Sequence, residues 1–394
     1  MPGQDSPLAR LERHARNRAL EVAVVEQRGH AWATITWNEL YRRVIDGAAG
    51  MIDAGVDPGQ VVVLRVPTGI RQLELELATR VAGAVPLLLP EHLDPAEVAR
   101  LLDEVDVRLV VVDRESRLAL LRQAALAEAQ LFECDDRSWE RLRAIGLERR
   151  KRQPDVLTWV DSVRVGAPTG AVLGLPREKS EAWLFRPEAS GVLSELKADD
   201  VVLLTGEAPD RFTTVVRDAQ LTAGCTLAWV ESPAQLEEAL AHVSPTHVLL
   251  DHAASRVLED LVADARVDGA PWHEAPREVL QATSARVAGA RLGSRPRKLA
   301  AEIAALAPWW GGRLRVLVLD ARVNHTVSAL ATALELKLGR IAHHPAVRVD
   351  LAAEPGLPPV PAPAPVAVGA ADTLPRRGRA GVGIDPAFSL AGPA

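Results

Sequence analysis

The side chains able to do chemistry in this chain are scattered. His343 and His344 are adjacent, and adjacent side chains on a regular element diverge; no Cys or carboxylate set stands at ligand spacing around them, so no metal site is expected. His242, His247 and His252 are spaced five apart, but across a helix-to-strand passage they would not converge on one ion. Ser190–Gly191 stands in GluAlaSerGlyVal, which lacks the first glycine of a nucleophile elbow. Cys225 follows Gly224 ahead of an expected strand and reads as a buried structural thiol. Cys134 and Cys225 are the only cysteines, which argues against a disulfide framework and for a reducing, cytoplasmic setting.

The elements that would position such groups alternate between strand and helix. Thr36 with Glu39 three residues on is a capping-box spacing. Leu40, Val44, Met51 and Ile52 then mark an apolar helix face, and Gly55 supplies a left-handed stop. Val61–Val66, Ala84–Leu89 and Val107–Val112 read as buried strands, with a helix at Gln72–Arg80 and another capped by Asp94. The rhythm returns in strands at Val201–Leu204, Thr226–Val230, Thr246–Leu250 and Leu314–Leu319. Helices are expected after Ser232 (with Pro233 first and Gln235 third), at Arg256–Val262 and at Val327–Leu338. Continuous apolar strands covered by amphipathic helices imply mainly parallel sheets and an α/β fold.

The 394 residues, 48% of them hydrophobic, are enough for two or three domains. The pattern divides into a first α/β unit over 1–152, an irregular connector over 153–196, a second α/β unit over 197–350, and a Pro/Ala-rich tail over 351–394 that reads as disordered. In that tail, Pro358–Pro365 and Arg376–Arg379 read as flexible, solvated chain. The net charge of −6, with both signs interspersed, gives no nucleic-acid surface; the basic run Arg149–Arg152 reads as a solvated helix end. Met1 to Arg18 is charged and is not read as a secretory signal, and no apolar stretch approaches the ~20 residues of a membrane helix. Trp outnumbers Phe and Tyr together, at 9 against 4 and 1.

Three collinear stretches resemble the large N-terminal domain of the acyl-CoA synthetase, or AMP-binding, superfamily of adenylate-forming enzymes, with likeness to its long-chain fatty-acid branch. They are Thr36–Asp113, Leu196–Leu204 with Leu221–Leu261, and Trp309–Ala321. The resemblance implies layered βαβ sheets. It also implies a Ser/Thr/Gly-rich phosphate loop ending in lysine between Leu157 and Leu196. Val165–Gly170 there has glycines but no hydroxyl run, and the next lysine is Lys179, so a surface loop is expected instead. By the same resemblance Asp210 falls near the acyl site, and Asp320, Ala321 and Arg322 stand where the adenine-binding turn would be; only the alanine matches. Leu338–Asp350 shows neither the aromatic–Gly motif nor the magnesium-holding glutamate, and the mobile C-terminal domain with its lysine has no room before the tail.

The expectation is therefore a degenerate, non-catalytic member of that superfamily, kept as a scaffold or regulatory module and possibly pairing with an active synthetase or another protein. No cofactor is expected. Two alternatives stand beside it: a divergent long-chain fatty acid–CoA ligase, which would use ATP and Mg, and an acyl-ligand binder without ATP chemistry. Asp210, Asp320, Ala321 and Arg322 are the candidate ligand-binding residues under any reading with a ligand.

Overall fold

A computed structural model describes residues 6–89, 94, 96, 107–113, 131–163, 170–174, 181–185, 191–205, 210–250, 252–263, 266–267, 270–271, 312–319, 331 and 336–340. Helix α1 (Pro7–Asn17) begins where Ser6 accepts the Ala9 amide at 3.1 Å. A hairpin of β1 (Val22–Arg28) and β2 (Ala31–Thr36) leads into α2 (Trp37–Asp53). The Thr36/Glu39 capping box forms in both directions, and Gly55 takes φ +89° after the helix, as the spacing requires. Strand β3 (Val61–Arg65), α3 (Ile70–Val81), β4 (Val85–Leu88), β5 (Val107–Val112) and β6 (Leu131–Glu133) follow. Asp94 accepts the Ala96 amide at 2.8 Å; the rest of the helix expected there lies outside the described residues.

Helix α4 (Asp136–Arg152) is capped by Asp135, which accepts from the Ser138 amide at 2.6 Å. Then come α5 (Val156–Val163), β7 (Gly170–Gly174), β8 (Glu181–Phe185), a single turn at Gly191–Glu195, β9 (Val201–Thr205) and α6 (Asp210–Ala223). Strand β10 (Thr226–Val230) passes through a second capping box at Ser232/Gln235 into α7 (Leu236–Val243). The last described elements are β11 (His247–Leu250), α8 (His252–Ala263), the short ribbon β12 (Arg266–Val267) and β13 (Ala270–Pro271), β14 (Val316–Leu319) and β15 (Lys337–Arg340).

Two large sheets result. One is six-stranded, in the order β6-β5-β3-β4-β7-β8; the other is seven-stranded, β15-β14-β11-β9-β10-β1-β2. Pairing is parallel throughout except for β7 with β8 and β1 with β2. The sheets do not follow the sequence-based division. β1, with its hairpin partner β2, leaves the first segment to pair with β10, and β7 and β8 from the expected irregular connector complete the six-stranded sheet. Both exchanges are non-local pairings that no local periodicity encodes. The helix expected at Val327–Leu338 gives way at Lys337 to β15, whose partner is β14.

The main core fills the space between the sheets; a smaller one covers the opposite face of the seven-stranded sheet beneath α7 and α8. Burying the Val61–Leu64 run of β3 on both faces is worth about 1.5–3 kcal/mol per side chain. Trp37, Trp139 and Trp229 are among the largest fully buried side chains, which gives part of the tryptophan excess a packing role. Helices α2 and α4 touch backbone to backbone. A methyl on Gly146 would stand 1.8 Å from the Asp46 carbonyl oxygen, and one on Gly47 would stand 2.3 Å from the Trp139 ring. This seam also corrects the reading of the basic run: Arg149 is buried near Asp53 and Arg150 pairs with Asp46 at 2.5 Å, so only part of it is solvated.

Candidate functional site

Open parallel sheets bind ligands beyond the carboxyl ends of their strands, where the winding direction reverses. Each large sheet has such a point. In the six-stranded sheet β4 lies on one side of β3 while β5 and β6 lie on the other; in the seven-stranded sheet β10 lies on one side of β9 while β11, β14 and β15 lie on the other. The places to search are therefore between β3 and β5 and between β9 and β11.

At the first, β3 runs through Val66–Gly69 into the N-terminus of α3, where free amides and the helix dipole favour an anion. Gly69 offers no side-chain cap. Glu26 supplies one from β1: its carboxylate is buried and accepts the Ile70 amide. A Cβ on Gly69 would come within 2.0 Å of Glu26 Oε1, so the glycine is what admits it. Burial pushes the Glu26 carboxyl up, while Arg28, 3.1 Å away, pulls it back down. The Gln72 amide donates to the Val66 carbonyl at 3.0 Å and closes the turn. The anion position of this helix is thus taken by the protein's own carboxylate, carried on a strand of the other sheet.

Behind it runs a buried ionic seam. Ile70 and every residue from Gln72 to Val81 in α3 is buried, although the helix carries Glu74, Glu76 and Arg80. Arg217 of α6 donates to Glu76 and, at 2.6 Å, to Gln72; its guanidinium lies 5.0 Å from the centre of the Trp229 ring. Arg80 donates to Asp218 at 2.8 Å. Glu74 accepts from Trp139 Nε1 at 2.8 Å and from Arg43 and Arg71 at 3.0 Å each. Each of these carboxylates has a cationic partner, and the seam fixes α3 against α6.

Among the described residues, burial is the largest influence on the two thiols and on two of the histidines. Burial pushes both the Cys134 and Cys225 thiols up to about 12, far from a nucleophilic thiolate. His14 is held low by burial and donates from Nε2 to the Leu221 carbonyl at 2.8 Å, beside the Trp37 ring. His247 is likewise lowered by burial, with Asp200 at 3.8 Å opposing that shift. Burial also acts to raise Asp200, but the Lys197 amide, the Thr246 hydroxyl, His247 and Arg315 hold it below the usual carboxylate range. Among the described residues no group of three His, Cys, Asp or Glu could hold a metal ion, and no helix is long and apolar enough to cross a membrane.

At the second reversal point, α6 opens with Asp210 a few residues after β9 ends at Thr205. Asp320, Ala321 and Arg322 follow β14 directly and lie outside the described residues, as do His343 and His344. Leu319 pairs with Leu250 and with Arg340, so the chain leaves β14 at the same sheet edge as it leaves β11. The topology brings the start of α6 and the chain entering Asp320 to one edge, with β11 between their strands. In the window of the expected phosphate loop, α5, β7, β8 and the Gly191–Glu195 turn take up most of the chain. The segments between them read ArgValGlyAlaProThr, LeuProArgGluLysSer and ArgProGluAlaSer; none is a hydroxyl- and glycine-rich run ending in lysine. Sequence reasoning missed Glu26 and Arg217. The available signal was a polar residue at an inward parity of an otherwise apolar strand or helix face, as in ValAlaValValGlu.

Comparison with known proteins agrees with this architecture. Residues 11–181 match the family model described as AMP-binding enzyme. A 95-residue stretch is 30% identical to 2-methylpropanoate–CoA ligase CCL4 of Humulus lupulus; it covers 24% of this chain and 17% of that ligase. The crystal structure of the inhibitor-bound N-terminal domain of FACL13 from Mycobacterium tuberculosis superposes with TM-score 0.61 at 14% identity, covering 86% of this chain and 76% of that one. A long-chain-fatty-acid–CoA ligase, FadD1 of Archaeoglobus fulgidus, gives TM-score 0.60 at 12% identity over 86% of this chain and 64% of its own. Residues 11–181 thus match an AMP-binding domain, and the chain shares the fold of the N-terminal domain of these ligases.

Proposed function

We propose that this chain is a non-catalytic acyl-CoA-synthetase-like module that uses its two-sheet scaffold to engage a protein partner, an active synthetase being one candidate, in the cytoplasm. One observation carries the reading. Where the family's phosphate loop is expected, β7 and β8 pair as an antiparallel hairpin joined through LeuProArgGluLysSer. Adenylation needs a nest of amides, hydroxyls and a lysine aligned on a triphosphate, and the loss of one such donor typically costs ~10²–10³ in rate. The helix N-terminus at the first reversal point is filled by Glu26, which supports a reading without a nucleotide phosphate at that position. Isothermal titration of the full chain with Mg-ATP is expected to give no binding heat; micromolar affinity defeats the reading.

The second reading, a divergent carboxylic acid–CoA ligase, is favoured by the AMP-binding match over residues 11–181. It would take ligand at the β9/β11 edge near Asp210, Asp320, Ala321 and Arg322. Pyrophosphate release over a panel of fatty acids with ATP, Mg and CoA separates the two readings: turnover selects the ligase, and none with any acid selects the scaffold.

A further inference from the structure

Buried charges join α3 to α6 in what is almost a ring. Glu76 and Arg80 stand one turn apart on α3, and Arg217 and Asp218 are consecutive on α6. The chain itself links Arg217 to Asp218. Arg217 Nη1 donates to Glu76 Oε2, and Arg80 Nη2 donates to Asp218 Oδ1 at 2.8 Å. The remaining link is open. Arg80 Nη1 and Glu76 Oε1 lie 3.9 Å apart, beyond the reach of a direct hydrogen bond at about 2.7–3.2 Å. Both atoms are buried, and neither makes a hydrogen bond among the described residues. The side chains as a whole are also shut away from bulk solvent, Arg80 at 2% exposure and Glu76 at 0%.

A carboxylate and a guanidinium at this helical spacing can meet directly. Here each is already held from its far side, Glu76 by Arg217 and Arg80 by Asp218, and Asp218 is fixed in turn by Arg10 of α1 at 3.2 Å. Closing the gap would pull one of those bonds open. We infer that a single water molecule bridges Arg80 Nη1 and Glu76 Oε1, forming a buried solvent site inside the α3–α6 seam. The chemistry of the pair selects this occupant. A guanidinium only donates and a carboxylate oxygen only accepts, so the occupant must accept from one and donate to the other. Water does both. Chloride has no proton for Glu76, and a metal ion has no lone pair for Arg80. The size agrees: bonds of about 2.7–2.9 Å from one oxygen to two atoms 3.9 Å apart meet at about 90°, bent but usable, and the gap is too short for two waters in series. Buried waters characteristically take up polar groups that a fold leaves over. This one stays behind as the seam dries, and it closes Arg217, Glu76, Arg80 and Asp218 into a ring across two helices.

A crystal structure of the full chain, at a resolution that shows ordered waters, is the first test. The expected result is a solvent peak within hydrogen-bond distance of both Glu76 Oε1 and Arg80 Nη1. A direct Glu76–Arg80 hydrogen bond, an empty gap, or the anomalous signal of a halide or metal ion there overturns the inference. The second test is in solution, where magnetic relaxation dispersion of the solvent counts waters held longer than the protein tumbles. Arg80→Met removes the donor and leaves the Arg217–Glu76 and Arg10–Asp218 bonds in place. The dispersion amplitude is expected to fall by the contribution of a single water; an unchanged amplitude refutes the bridge. Should Arg80→Met fail to fold, Glu76→Leu combined with Arg217→Met removes the acceptor together with its partner, and the same loss is expected.

Discussion

The two parallel sheets are wound alike, each placing its second strand on one side of the first and its third on the other, yet they treat their carboxyl edges differently. The six-stranded sheet closes its reversal point from within: Glu26 sits on the N-terminus of α3 where an external anion would sit. The seven-stranded sheet leads at the corresponding place into Asp210 and, from β14, into Asp320. The same reversal of winding therefore gives one edge a structural carboxylate and leaves the other as the candidate for a ligand, which is why function has to be argued from the site and not from the winding.

What ties the edges together is the α3–α6 seam, and breaking it has the largest expected effect. Arg217→Met leaves Glu76 buried without its main partner, and a loss of about 3–5 kcal/mol in urea unfolding is expected. Adding Glu76→Leu should restore most of that loss; failure to do so would mean that the pair fixes the sheets by more than charge satisfaction. Opening the closed edge comes next. Glu26→Ala removes the cap of α3, at about 1–2 kcal/mol. If the two edges differ only by that carboxylate, inorganic phosphate should then raise the melting temperature of the variant and not of the wild type.

The smallest effect separates the regions by pH. Glu26 is raised in the fold, so its contribution is fully present below the ordinary value of 4.5 and is lost as pH rises through its folded value. His14 and His247 are lowered, so their contributions are present above 6.5 and are lost as pH falls through their folded values. Acidification below 6.5 should therefore destabilise wild type through the histidines. His14→Gln should flatten that slope by up to about 1.4 kcal/mol per pH unit, whereas Glu26→Gln should leave the histidine limb unchanged; the check is urea midpoint against pH.

Much of this frame is legible in the chain. The Thr36/Glu39 and Ser232/Gln235 boxes are written in local spacing, and β3, β5, β9 and β10 stand out as apolar runs. The hidden parts are set at long range. β1 finds β10 some 200 residues away, and LysLeuGlyArg becomes a strand only because β14 accepts it. The site is the least legible part. Its closed edge depends on Glu26 meeting the Ile70 amide, a pairing that local spacing does not encode, and three of the four ligand candidates lie outside the described residues.

The buried charges of α3 also bear on how the protein comes into being on the ribosome. Glu76 and Arg80 find Arg217 and Asp218 only after some 140 more residues have been made, several seconds or more at ~5–20 residues per second. Until then the nascent first half must keep those ions hydrated. A segment bounded at residue 181 by kinship is therefore unfinished as a folding unit, and its interior can dry only when α6 emerges.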